Sequence, residues 1–220
     1  MSFEDEKLNF YTIEYFWKVQ SLKANNRWTN MTFLEFEIQE IRKFLGNSSL
    51  ERILDLGSGT GALSKRLVNQ TCTLDAVDYQ ENYKECFEGD ERFTFFKSDL
   101  KFFKSHKLYD LILLFGVSTH LDIQTEELVL NSINEMLSKS GVAIIKLQCA
   151  DSESFIFNGF STELNIDYSG RYPSREEQKK RLSKYFSSIV EVAYPPSMKL
   201  HENTSHVMFF CKRNEVINVK

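Results

Sequence analysis

Gly57, Gly59 and Gly61, three glycines within five residues, follow the apolar run Ile53-Leu54-Asp55-Leu56 and lead into Ala62. Glycines at this spacing let a chain turn sharply and let a ligand come close to the backbone N–H groups of Gly57, Ser58, Gly59 and Gly61. A helix starting just beyond such a loop favours anionic groups at its N-terminus, so the stretch suits a nucleotide-like ligand better than a plain turn. Asp55 stands two residues ahead of the first glycine. Its carboxylate repels a pyrophosphate and attracts an ammonium group. Farther along, Phe115-Gly116-Val117-Ser118-Thr119-His120 closes another apolar run. There the His120 imidazole is the candidate general base, with local packing as the plainer role.

Such a loop needs a parallel sheet to carry it. From about residue 50, apolar runs at 52–56, 72–77, 93–97, 108–115 and 142–147 alternate with amphipathic stretches at 62–70, 81–87 and 125–138. A parallel crossover takes about a dozen residues and usually a helix, so the alternation predicts an α/β fold. At the end of the chain the rhythm breaks. Ser174-Arg175-Glu176-Glu177 reads as a capping box opening a helix to about residue 186, and strands follow at 189–193 and 206–211. Pro195-Pro196 forbids helix between those two strands, so the last one should return antiparallel. The expected architecture is a doubly wound, mostly parallel seven-stranded sheet with an antiparallel last strand, helices on both faces and an N-terminal helical cap. The cap spans 1–47 and its second helix carries the stripe Leu34, Ile38, Ile41, Leu45. The core spans 48–220, with a substrate-binding insertion at about 149–173.

In this strand-loop-helix setting, Asp55-x-Gly57-x-Gly59-x-Gly61 resembles motif I of the class I S-adenosylmethionine-dependent methyltransferases of small-molecule type. Gly57-x-Gly59-x-x-Ala62 also meets the dinucleotide fingerprint, which keeps a nicotinamide-dependent oxidoreductase and a non-catalytic nucleoside-binding protein in view. The resemblance implies S-adenosylmethionine as cofactor and S-adenosylhomocysteine as product. It implies that Asp78, 23 residues after Asp55, accepts from the ribose hydroxyls. It further implies that Ser98-Asp99-Leu100 meets the adenine, with Asp99 on the exocyclic amine and Leu100 or Tyr79 against the ring. A simple N-cap role for Asp99 is compatible with this. Phe115 and the loop to His120 then fall where a sulfonium methyl meets its acceptor.

Acceptor recognition should come from the insertion and the cap. Tyr168, Arg171 and Tyr172 combine aromatic walls with a cation able to pair with a carboxylate or phosphate, while neighbouring phenylalanines are read as packing. In the cap, Tyr11, Tyr15 and Trp28 are candidates to fold over the site, Arg27 to hold the methionine carboxylate, and His201 to reach in from the far end. The segments 158–178 and 202–212 look like bacterial small-molecule methyltransferases that accompany surface-polysaccharide genes. That likeness implies methylation of a hydroxyl on a sugar or nucleotide-linked sugar, with N-methylation of a small amine as the alternative.

Composition limits the other possibilities. A chain of 220 residues and 25.8 kDa makes about one domain. A net charge of −4 provides no global basic field, so nucleic acid is not the expected partner. The longest apolar run, 111–117, is too short to span a membrane, and the acidic opening MSFEDEKLNF lacks a leader's apolar region. The expectation is a cytoplasmic enzyme of a small molecule, monomeric or homodimeric. Cys72, Cys86, Cys149 and Cys211 form no C-x-x-C and read as free thiols, and no metal-ligand spacing occurs.

Overall fold

Apolar runs bounded by turn residues become strands, and those in the middle of the sheet are buried on both faces, as a parallel sheet demands. The structure, a computed structural model, describes residues 31–161 and 166–213. Its strands are β1 (Arg52–Leu56), β2 (Thr73–Asp78), β3 (Phe93–Lys97), β4 (Tyr109–Phe115), β5 (Leu137–Ala150), β6 (Phe155–Ser161), β7 (Ile166–Tyr172), β8 (Phe186–Ala193) and β9 (Thr204–Arg213). Seven of them form one sheet in the order β3-β2-β1-β4-β5-β9-β8. Neighbours from β3 to β5 pair parallel, and β9 runs antiparallel to both β5 and β8. The reversed last strand is therefore borne out.

Among the described residues three α-helices, α1 (Met31–Leu45), α2 (Ile123–Met136) and α3 (Arg175–Leu182), flank the sheet. Leu34, Ile38 and Ile41 of α1 pack with Ile53, Leu74, Leu111 and Ile144 on one face. Leu130 and Ile133 of α2 and Leu182 of α3 pack with Leu54, Ile112, Ile145 and Phe209 on the other. The expected stripe on α1 is thus the buried one. Gly46, at φ 57°, ends that helix by donating its N–H to the Arg42 carbonyl at 2.9 Å. Ser174 caps α3 by accepting from the Glu177 N–H, as the capping box predicts.

Two expected helices are absent as α-helices. The stretch 62–70 holds only a 3-10 turn at Ser64–Arg66, and 81–87 is 3-10 throughout. Each lies in a short crossover that turns early. The Asn69 side chain accepts from the Thr71 N–H at 2.9 Å, and Gly89 takes φ 84°. Short segments of this kind commonly settle for 3-10 geometry. The glycine loop consequently lacks the α-helix N-terminus expected after it.

Candidate active site

The parallel registers bring the carboxyl ends of β1, β2 and β4 level, with Leu56 paired to both Val77 and Leu114. In an open α/β sheet, ligands bind outside these ends. The glycine loop leaves β1 here. The N–H groups of Gly57 and Ser58 donate to the Val77 carbonyl at 2.8 and 3.0 Å, and the Gly59 N–H donates to the Asp78 carboxylate at 2.9 Å. Gly57, Gly59 and Gly61 take φ 74°, 51° and 68°, in the left-handed region that side chains avoid. A Cβ on Gly57 would stand 2.3 Å from Val117 Cγ2, so the loop after β1 touches the loop after β4. A Cβ on Gly59 would meet nothing within 4 Å, which leaves open space over the loop. The Ser58 hydroxyl is buried without a hydrogen-bond partner.

Asp55 is 6% exposed, and burial pushes its carboxyl up to about 7, with the Ser64 hydroxyl drawing it back and Asp78 adding to the rise. An ammonium group at this point would satisfy the buried carboxylate. Asp78 is also raised by burial, although it accepts from the N–H groups of Gly59 and Gln80. The open space above Gly59, the buried Asp55, the part-buried Asp78 and the exposed Tyr79 (53%) fit an aminoacyl nucleoside of the S-adenosylmethionine kind.

Ser98 and Asp99 stand beside this locus, with the Ser98 N–H on the Asp78 carbonyl at 3.0 Å. One Asp99 oxygen accepts from the Lys101 N–H at 3.0 Å, and the other lies 3.5 Å from the Lys101 ammonium. Asp99 therefore caps a turn rather than a helix. Leu100 packs on the core, and Phe115 is half-buried, with the Lys146 ammonium 5.7 Å from its ring.

His120 ends a 3-10 turn at Ser118–His120 just past β4. Burial lowers its pKa to about 4, which keeps the imidazole neutral near pH 7 and able to accept a proton. Its ring meets Tyr168 edge-on at 5.7 Å, and the Tyr168 and Tyr172 hydroxyls lie 3.0 Å apart. The structure thus brings His120, Tyr168 and Tyr172 together. The Arg171 guanidinium is buried and pairs through Nη2 with Glu126, while its Nε and Nη1 are buried without a hydrogen-bond partner. Lying in β7, it alternates away from the face of Tyr168 and Tyr172. His201 is exposed in the turn before β9. Tyr11, Tyr15, Arg27 and Trp28 lie outside the described residues.

Sequence reasoning missed a buried group under α1. Lys146 and Glu37 pair at 3.0 Å, the Tyr194 hydroxyl donates to Glu37, and His206 packs against Tyr194 and Phe33. A lysine inside the run Ala143-Ile144-Ile145-Lys146-Leu147 was the available signal, because a charge in a buried strand needs a partner. Among the described residues no group of acids, histidines and cysteines is placed to hold a metal, and no helix is long and apolar enough to cross a membrane.

Comparison with known proteins agrees with this geometry. A family model described as a methyltransferase domain matches residues 31–191. A ubiquinone biosynthesis O-methyltransferase of Rickettsia canadensis (strain McKiel) is 28% identical over 117 residues, 51% of this chain and 49% of that protein. Its namesake from Rickettsia typhi (strain ATCC VR-144 / Wilmington) is 22% identical over 187 residues, 83% of this chain and 73% of that protein. The chain spans about half the length of the first relative (49%). Among solved structures, the Burkholderia thailandensis 1,6-didemethyltoxoflavin-N1-methyltransferase, crystallised with 1,6-didemethyltoxoflavin and S-adenosylhomocysteine, superposes with a TM-score of 0.75. It is 16% identical, with 97% of this chain and 93% of that chain covered. With a family match over more than half its length, and with the glycine loop and acids of motif I in place, the chain belongs to the methyltransferase domain family, in the class I S-adenosylmethionine-dependent group that its sequence resembles.

Proposed function

We propose that this methyltransferase transfers a methyl group from S-adenosylmethionine to a hydroxyl of a small polar metabolite, with His120 taking the hydroxyl proton. The observation that carries this reading is the contact of Gly57 with Val117, because it sets the donor loop directly against the turn that presents His120. Asp55 and Asp78 hold the donor's cationic and ribose groups, and Asp99, Leu100 and Tyr79 lie on the adenine side. The bound donor supplies an electrophilic methyl on a sulfonium. His120 accepts the proton on an imidazole nitrogen as the oxygen becomes an ether; general bases are worth about 10²- to 10⁴-fold, and burial of this ring, which makes it a weaker base, sets its contribution at the low end. Tyr168 and Tyr172 form an aromatic wall beside it, and the hairpin β6–β7 serves as the acceptor-binding insertion.

A sugar or nucleotide-linked sugar was the acceptor class expected from sequence, but the names of the relatives above carry no polysaccharide. A second reading is transfer to nitrogen. It is favoured by the N1-methyltransferase named among the solved structures and needs no base, because a neutral amine only has to be aligned. The test is release of S-adenosylhomocysteine from S-adenosylmethionine over a panel of phenols, sugars, nucleotide-linked sugars and amines. Turnover of hydroxyl acceptors that collapses in His120→Asn supports the proposal. Turnover of amines alone supports the second reading, and binding without turnover across the panel points to a non-catalytic nucleoside-binding protein.

A further inference from the structure

The hairpin β6–β7 forms a two-stranded sheet of its own, outside the seven-stranded ladder. A lone hairpin is marginally stable in water; its far end is tied to β5, where the Ala150 N–H donates to the Pro173 carbonyl at 2.9 Å, and side chains hold the rest. One face of β7 carries Tyr168, Gly170 and Tyr172. A Cβ on Gly170 would stand 2.5 Å from the Tyr168 hydroxyl, which shows that the Tyr168 ring lies back over Gly170 toward Tyr172. On the opposite face, Arg171 reaches Glu126 in the first turn of α2. Glu126 is fully buried, accepts from Gln178 of α3 at 3.1 Å and lies 3.4 Å from Arg181 Nε. The same Arg171 Nη2 reaches the Ser118 carbonyl at 3.5 Å, in the turn that ends at His120.

One guanidinium therefore joins the hairpin, α2 and the reaction turn. We propose that Arg171 and Glu126 form a positioning pair that seats Tyr168 against His120 and so builds the wall of the acceptor site, instead of holding a cation for an anionic substrate. Arg171 Nε and Nη1 have no hydrogen-bond partner, but both are buried, so an incoming anion would have to part the hairpin from the core to reach them. The role of His120 in this statement rests on the function proposed above, but the seating does not.

The test is a pH titration of histidine rings by NMR on the full chain, with His120→Asn used for assignment. In the wild type the His120 ring should stay neutral down to about pH 4. In Glu126→Gln and in Arg171→Lys, the loosened hairpin should admit water, and the His120 pKa should climb by about one unit or more toward its ordinary value of about 6.5. His206, buried under α1 with its pKa near 3, reports whether the fold is intact. Unchanged His120 titration in both folded variants overturns the proposal, as does global unfolding of both, which would make the pair a general structural brace. S-adenosylhomocysteine titrated into the wild type separates the two claims: failure to bind removes the methyltransferase reading and leaves the His120 shift decisive for the pair.

Discussion

The Gly59 N–H donates to the Asp78 carboxylate at 2.9 Å, which ties the loop after β1 to the end of β2. The acid expected to accept from ribose hydroxyls thus also shapes the glycine loop, and its other oxygen holds the Gln80 N–H at 2.9 Å. A part-buried carboxylate with two backbone donors is a charge-assisted anchor with capacity left for a ligand hydroxyl.

Asp78→Ala should weaken S-adenosylhomocysteine binding by roughly 10- to 100-fold, in line with the worth of hydrogen bonds to a charged group. Asp78→Asn keeps an acceptor oxygen and should lose less. Calorimetry on both variants decides, and wild-type affinity in Asp78→Ala would remove Asp78 from the donor site.

The glycines separate fold from ligand. In Gly57→Ala the new Cβ collides with Val117 at 2.3 Å and keeps an unfavourable φ, so thermal unfolding should show a loss of about 2 kcal/mol or more. Gly59→Ala meets no protein atom within 4 Å and should cost only about 1–2 kcal/mol of backbone strain, yet its methyl enters the space over the loop and should weaken donor binding. Equal donor affinity in Gly59→Ala and wild type would mean that the ligand does not approach there.

Asp55 predicts a proton. Its carboxyl titrates near 3.8 when unfolded and near 7 when folded, so its contribution to stability is fully present below pH 3.8 and is lost as pH rises through about 7. The loss is about 4 kcal/mol at most. Asp55→Asn should therefore raise the melting temperature of the unliganded protein at pH 8 while weakening donor binding. An ammonium docking beside Asp55 should expel about 0.9 proton at pH 6 and about 0.1 at pH 8, measured by calorimetry in buffers of different ionisation enthalpy. Equal proton release at both pH values would contradict the assignment.

For His120, burial sets the pH at which the base is lost. As its pKa is lowered to about 4, the acidic limb of kcat/KM for the acceptor, measured with S-adenosylmethionine saturating so that Asp55 is already ionised, should fall near pH 4 instead of 6.5, with activity flat from about pH 5 to 7. His120→Asn should lower kcat by about 10²-fold or more and leave S-adenosylhomocysteine affinity intact. A pH limb near 6.5, or full activity in the variant, would take His120 out of the mechanism.

Much of the sheet was legible because apolar runs mark its strands: β1, buried along most of its length, and β3, the half-exposed edge strand, fall on the expected residues, and Pro195-Pro196 betrayed the reversal into β9. Where tertiary contact decides, local pattern misled. Ala62 to Gln70 reads as helical but is held in turns, and β5 extends to Ala150 because β9 pairs with it from Val142 onward. In the site, Asp55 and the glycines announced themselves by spacing. Arg171 did not, since its partner Glu126 lies 45 residues away and only folding brings a buried carboxylate to it.

The most direct measurement is calorimetric titration of the full chain with S-adenosylhomocysteine, run beside NAD. Saturable binding of S-adenosylhomocysteine, weakened in Asp78→Ala, with no heat from NAD, is the result expected of the glycine loop and acids described above. Binding of NAD alone, or of neither ligand, would contradict the assignment of this site to a methyl donor.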